Sequence, residues 1–301
     1  MTKQKCNFHT HTVFCDGKST AEEMVLAAIE KGFTALGFSG HSIYPSTRES
    51  SWHMPQDKMP EYIKTIRELK EKYSGQIKIY TGFEADYFAP KGFEGEPPLC
   101  IPSKKVYEKF NPDFLVGSVH YLSNPSGFFT VDNVTEKVKN NLLKYYSLPA
   151  GENPCIPGGL PVDGKKAVRD YFEAERQMLK SGDFEIWGHP DLIRKRNRDL
   201  KFFKENEDWY IKELQETAKV ASKTGCIAEI NSGAIARGAM DDFYPSRVFL
   251  DILYSYKIPI CVNSDAHETQ FLDCAFDRAY IQAKKTGYTE LVYPGNNIVE
   301  L

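Results

Sequence analysis

Two histidines one residue apart, followed five positions later by an aspartate, stand in the stretch NFHTHTVFCDG at residues 7–17. Alternate residues of an extended chain point the same way. His9 and His11 can therefore present two imidazoles together, with Asp16 across the turn that follows. Imidazole and carboxylate are the donors of zinc, iron and manganese sites. A strand face that merely carries polar side chains would read the same over so short a stretch, and the rest of the chain decides between the two.

The chain has seven histidines. His9, His11, His41, His120, His189 and His267 each fall at or just past the end of an apolar run, and His53 lies in the loop after the second run. Glu84 and Asp265 end two of these runs as well, whereas no cysteine holds a comparable place. Nine candidate ligands result: His9, His11, Asp16, His41, Glu84, His120, His189, Asp265 and His267. A catalytic zinc takes three protein ligands and keeps one position open. Nine therefore imply two or three ions with shared carboxylates, and ions about 3.5–4 Å apart suit phosphate-ester hydrolysis.

The elements that must position them form a regular alternation. Strand candidates are 5–9, 34–40, 76–84, 113–120, 184–189, 226–232 and 258–265. A helix after residue 20 opens with a Thr20–Glu23 capping box and stops at Gly32. MPEYIKTIRELKEKYSG spaces Tyr62, Ile63, Ile66, Leu69 and Tyr73 as an amphipathic helix. Further helical patterns lie near 165–181, 204–224, 245–256 and 271–286. This rhythm predicts an α/β fold with a parallel sheet, either a closed barrel or an open doubly wound sheet. In a barrel, the C-terminal strand ends meet on one rim. The whole of 1–301 reads as one domain, with a Pro/Gly-rich loop insertion near 143–164 and a similar loop from about 89 to 102.

Bulk composition narrows the partners. A net charge of −3 and an ordinary 26% of charged residues give no reason to expect nucleic acid or an anionic membrane. No apolar run approaches the roughly 20 residues that span a bilayer, and the first residues lack a signal-peptide core. Seven scattered cysteines without a C-x-x-C read as reduced cytoplasmic thiols. Oligomeric state leaves no mark on the sequence.

Taken together, H-x-H with its following D-G, the GH after the second strand, GFEADY, GSVHY, GHPDLIRK and NSDAH resemble the PHP (polymerase and histidinol phosphatase) family. Within it, SVHY, GHPDLIRK and the final FDRAYIQAKKTGYTEL look most like the histidinol-phosphate phosphatase branch. The resemblance spans nearly the whole chain. It implies a distorted TIM-like barrel of seven parallel strands, (β/α)7, and a site with three divalent metals, zinc, iron or manganese. It further implies that His9, His11, Glu84 and Asp265 bind the first metal. Glu84 would bridge to the second, which His120 and His189 also hold. Asp16, His41 and His267 would bind the third, with Asp16 an oxygen donor where some relatives carry histidine.

The implied activity is hydrolysis of L-histidinol phosphate to L-histidinol and phosphate, a step of histidine biosynthesis, by a hydroxide bridging two metals. Arg194 in GHPDLIRK and Arg237 in NSGAIARG are the expected phosphate ligands, because a guanidinium donates two parallel hydrogen bonds. Lys195, Arg196 and Arg198 are expected on the surface, and His53 is a candidate substrate contact. Asp265 and His267 are candidate proton donors to the leaving alkoxide. Alternatives are another small phosphorylated metabolite, a phosphodiester, or metal storage without turnover. A metal-dependent amidohydrolase also begins with H-x-H, but commonly needs a lysine where this chain has Glu84.

Overall fold

The computed structural model describes residues 4–43, 50–88, 101–124, 127–154 and 156–301. Seven strands form its centre: β1 (Cys6–Asn7), β2 (Ala35–Phe38), β3 (Lys78–Asp86), β4 (Phe114–Ser118), β5 (Ile186–Trp187), β6 (Ile227–Asn231) and β7 (Ile260–Asn263). They pair in chain order and every pairing is parallel. Just past β1 and β7, a parallel bridge between Thr10 and Ala266 joins the first strand to the last. There His11 N donates to Ala266 O at 2.8 Å and Ala266 N donates to His9 O at 3.3 Å. Of the two arrangements open to the sequence, the molecule adopts the barrel. Its distortion is visible in β1 and β5, which are two residues long. Side chains extend the seam where backbone pairing stops: Asn263 Oδ1 accepts from Phe8 N at 2.7 Å, and Asn7 Nδ2 donates to Ser264 Oγ at 2.6 Å.

Seven helices of eight residues or more stand among the described residues: α1 (Ala21–Glu30), α2 (Met59–Lys72), α3 (Thr135–Tyr146), α4 (Gly164–Ser181), α5 (Asp208–Ala221), α6 (Arg247–Ser255) and α7 (Phe276–Thr286). Thr20 and Glu23 form the capping box at the start of α1, satisfying backbone donors that an open helix end would leave bare. Along α2, Tyr62, Ile63, Ile66 and Leu69 are buried, and each such side chain contributes about 1.5–3 kcal/mol over remaining in water. β2, β4, β6 and β7 are buried along their full length, as parallel strands covered by helices require.

Several features depart from the expected pattern. The sequence read no helix over Thr135–Tyr146, nor the antiparallel hairpins Tyr121–Asn124 with Gly127–Thr130 and Glu290–Tyr293 with Asn297–Glu300. The insertion near 143–164 begins inside α3, and its two arms are tied by Leu148 N to Pro161 O and Asp163 N to Tyr146 O. Apart from Ile101 and Pro102, the loop from 89 to 102 lies outside the described residues. The five described cysteines are unpaired; Cys100 and Cys155 fall outside the description. Among the described residues, no helix is long and apolar enough to cross a membrane.

Candidate metal centre

The site residues lie beyond the strands, where the backbone turns out of the barrel. His9 and His11 follow β1, His41 follows β2, His120 follows β4, His189 follows β5, and Asp265 with His267 follows β7. Glu84 alone sits within its strand. Two of the turns are strained: His189 has φ 29° and Asp265 has φ 52°, a region that residues with a Cβ seldom occupy. Strain of this kind costs of order 1–3 kcal/mol and persists where a site demands a particular direction of the side chain.

Glu84 is the hub. Its Oε2 lies 3.0 Å from His41 Nδ1, 3.3 Å from His9 Nε2 and 3.4 Å from His11 Nε2, while its Oε1 lies 2.8 Å from His189 Nε2 and 3.5 Å from His120 Nε2. Asp265 Oδ1 stands 3.2 Å from His11 Nε2 and 3.8 Å from His9 Nε2. Asp16 Oδ2 is 3.2 Å from His267 Nε2, and its Oδ1 is 3.6 Å from His11 Nδ1 and 3.8 Å from His41 Nε2. All nine residues singled out in the sequence therefore converge.

Their donor atoms form groups compact enough for an ion each: His9, His11 and Glu84; Glu84, His120 and His189; and His11, Asp16, His41 and His267. A fourth group, His41, Asp86 and His120, brings in a carboxylate the sequence reading passed over. Asp86 Oδ1 accepts from His120 Nδ1 at 2.5 Å, and its Oδ2 accepts from His53 Nε2 at 2.7 Å. Glu229 does the same for the first histidine, accepting from His9 Nδ1 at 2.8 Å. Its two oxygens also take Asn263 Nδ2, Asn231 Nδ2 and the backbone N of His189. A carboxylate on Nδ1 fixes the tautomer that offers the Nε2 lone pair inward, the usual support of a metal-binding histidine. The signal was available: Asp86 shares a strand face with Glu84, and Glu229 is a lone charge in the apolar strand CIAEINS.

The charges fit cations. Burial alone would raise the Glu84 carboxyl, but His41, His9 and His120 outweigh it and hold Glu84 well below the usual carboxylate range. Burial likewise opposes Asp265, and Arg237 with His9 pulls it far down. Burial beside His267 and His41 pushes His11 down to about 3, so its ring is neutral and its lone pair available. Among the described residues, His9 Nε2, His11 Nε2, His41 Nδ1, His189 Nδ1 and Asp16 Oδ1 are buried without a hydrogen-bond partner. Unsatisfied buried polar atoms cost about 1–3 kcal/mol each, and the four on His9, His11, His41 and Asp16 are accounted for by ions that take their lone pairs, whereas His189 faces Glu84 with its other nitrogen, Nε2.

A cavity of roughly 250 Å³ opens onto the cluster, of a size for a small molecule. Beyond the candidate ligands, its wall is made by Trp52, Asp132, Asn133, Val134, Lys195, Arg196 and Arg237. A place at the cavity is what phosphate contact would require of both arginines, and Arg237 stands there: Nη2 donates to Asp265 Oδ2 at 2.7 Å and Nη1 to Asp265 O at 3.1 Å. Gly233 makes room for this clamp, because a Cβ there would come within 2.5 Å of Arg237 Nη2 and 2.6 Å of Asp265 Oδ2.

Arg194 does not stand at the cavity. Its Nε and Nη2 donate to Glu205 and Asp242 at 2.7 Å, and its Nη1 to Phe243 O at 3.1 Å, so the buried fork is already filled and is absent from the cavity wall. Leu192–Arg196 is a 3-10 helix, which turns about 120° per residue; when Arg194 faces inward to the fold, Lys195 faces the cavity. Lys195 is accordingly buried, and Arg196 also lines the cavity, against the expectation that both are surface residues; Arg198 is exposed. His53 is likewise corrected. It is buried between Ser50 Oγ and Asp86 and supports His120 through Asp86 rather than lining the cavity.

Comparison with known proteins agrees with this architecture. The PHP domain model matches residues 7–233. A curated protein of Deinococcus radiodurans named "Probable histidinol-phosphatase" is 26% identical over 283 residues, covering 94% of each chain. The crystal structure of a Listeria monocytogenes protein put forward as a histidinol phosphatase superposes with a TM-score of 0.76 at 22% identity, covering 91% of this chain and 99% of that one. The histidinol phosphate phosphatase of Lactococcus lactis, solved with zinc, L-histidinol and phosphate, gives 0.67 at 18% identity with 99% of both chains covered. With that match over most of its length and six of its seven parallel strands carrying donors to one rim, the chain belongs to the PHP domain family.

Proposed function

We propose that this centre holds three divalent ions and hydrolyses a small phosphate monoester, L-histidinol phosphate. The observation that carries the reading is Glu84 shared between two histidine groups, with a third group beside it and Arg237 at the same cavity. His9, His11, Glu84 and Asp265 would hold one ion; Glu84, His120 and His189 a second; Asp16, His41 and His267 a third. Nitrogen and oxygen donors without thiolate suit zinc, iron or manganese. Such ions, when bound, make hydroxide available at neutral pH and offset the charge of a transferring phosphoryl group.

The chain's own residues do the rest. Arg237, one-third exposed at the cavity and fixed by Asp265, donates to the phosphoryl oxygens in a charge-assisted pair. Ser118 Oγ donates to Glu84 Oε1 at 2.8 Å and holds the shared carboxylate in one orientation. Trp52, on the cavity wall with its indole N–H unpartnered among the described residues, offers a flat face for the imidazole of the departing alcohol. The names of the Deinococcus and Lactococcus relatives support this substrate. A cytoplasmic setting accords with the unpaired cysteines.

The test is a substrate panel. Metal-reconstituted protein is assayed on L-histidinol phosphate, other phosphomonoesters, phosphodiesters and amides, with metal content measured alongside. Preferential turnover of L-histidinol phosphate is expected; preference for a diester or an amide overturns the reading.

A further inference from the structure

An alkoxide is too basic to depart from phosphorus unaided at neutral pH, so hydrolysis of an alkyl phosphate needs either a metal contact or a proton at the ester oxygen. The two donors suggested by the sequence are both committed. Asp265 takes Arg237 on one oxygen and faces His9 and His11 with the other. His267 turns Nε2 toward Asp16 and Nδ1 toward the backbone oxygen of Asp265. His41, His120 and Glu84 belong to the ligand groups. Arg196 and Arg237 carry guanidinium groups, which do not release protons in proteins.

Among the described residues of the cavity wall, one proton donor remains. Lys195 is nearly buried, with its side chain 9% exposed, and its Nζ donates to Asp132 Oδ2 at 2.9 Å. Asp132 is itself on the wall and, among the described residues, is the one carboxylate there outside the proposed ligands. Burial lowers the ammonium's hold on its proton, partly opposed by Asp132, which moves it toward the range where a lysine can act as an acid. Asp132 also places the pair along the wall: a carboxylate beside the dianionic phosphoryl oxygens would be repelled, so Lys195 and Asp132 belong at the leaving-group end and Arg237 at the phosphoryl end.

Resting on the phosphomonoesterase reading above, we propose that Lys195 is the general acid that protonates the departing alkoxide, and that Asp132 is its positioning residue. Water's oxygen bonds to phosphorus as the bond from phosphorus to the ester oxygen breaks, and that bond's electron pair goes to the ester oxygen. The ester oxygen takes a proton from Lys195 Nζ and leaves as the alcohol. The attacking water keeps one proton as the P–OH of the product and loses the other to solvent, from which the neutral amine of Lys195 is reprotonated.

The leaving group is the probe. Wild type, K195M, K195R and D132N are compared on L-histidinol phosphate and on p-nitrophenyl phosphate, whose phenolate departs without a proton, and thermal unfolding, metal content and the Kd for inorganic phosphate are measured for each. K195M should lose about 10²–10³-fold in kcat on the alkyl ester, within the range for general-acid removal, and less than about fivefold on the aryl ester. K195R should lose as much on the alkyl ester, since it keeps the charge but not the acid, with phosphate affinity and metal content unchanged. D132N should show the same leaving-group bias in smaller degree.

Equal loss on both esters, or an alkyl rate restored by K195R, overturns the proposal and leaves Lys195 as a charge that binds phosphate. If K195M does not fold, K195R decides the matter alone. Wild-type protein that hydrolyses neither ester contradicts the phosphomonoesterase reading and this proposal with it; uniform loss in K195M from an active wild type contradicts this proposal alone.

Discussion

Single residues decide how firmly the ligands are held. Asp86 accepts from both His120 and His53, and Glu229 ties His9 to Asn231, Asn263 and the backbone of His189. Replacing Asp86 with Asn keeps the shape but removes the charge that orients His120. Metal affinity should fall about 10–100-fold, read by competition with a chromogenic chelator, while the far-ultraviolet spectrum stays unchanged. A third buried carboxylate lies outside the ligand groups. Glu175 accepts from Tyr171 Oη and Trp187 Nε1 at 2.6 Å, and burial raises it to about 8. A carboxyl with a folded pKa above its unfolded value of 4.5 favours folding below about pH 4.5 and loses that contribution as pH rises toward 8. Subtracting the pH profile of the melting temperature of E175Q from that of wild type should isolate a decline of roughly several degrees between pH 5 and 8. A flat difference would show that Glu175 does not titrate in this window.

At the scale of elements, the strand-end rule was legible because parallel strands must send their C-terminal ends to one rim, and the apolar runs marked those ends. The helices were legible where a capping box or a strong apolar stripe marked them, as in α1 and α2. What escaped was direction. Arg194 and Lys195 are adjacent in GHPDLIRK, and only the 3-10 turn reveals that the first fills an ion-pair pocket while the second reaches the cavity. Asp86 escaped because the sequence pattern ended its strand at Glu84, two residues short of the observed end, and Glu229 because it lies inside a strand, away from the ends that drew attention. Gly233 gave no sequence signal, yet the clamp of Arg237 on Asp265 occupies the space its Cβ would fill. Gly233→Ala should displace one or both, and a displacement near 1 Å can cost about 10²-fold in rate. A loss of at least about tenfold in kcat/KM on a phosphomonoester, with the protein still folded, is expected; unchanged kinetics would remove the clamp from the account.

At the scale of the whole molecule, the barrel closes where its ligands gather: the bridge between Thr10 and Ala266 lies between His9 and His11 on one side and Asp265 and His267 on the other. Ions that bind the folded site and not the unfolded chain stabilise by mass action. Chelation should therefore lower the melting temperature by several degrees or more, and re-addition of zinc or manganese should restore it. The same coupling provides the most direct test of the central claim that these strand ends form a three-ion phosphatase centre. Metal-free protein is titrated with zinc or manganese while bound metal and L-histidinol phosphate turnover are followed together. The account predicts no turnover in the metal-free protein and a plateau of activity near three ions per chain. A plateau at one ion, or turnover that persists without metal, would contradict it.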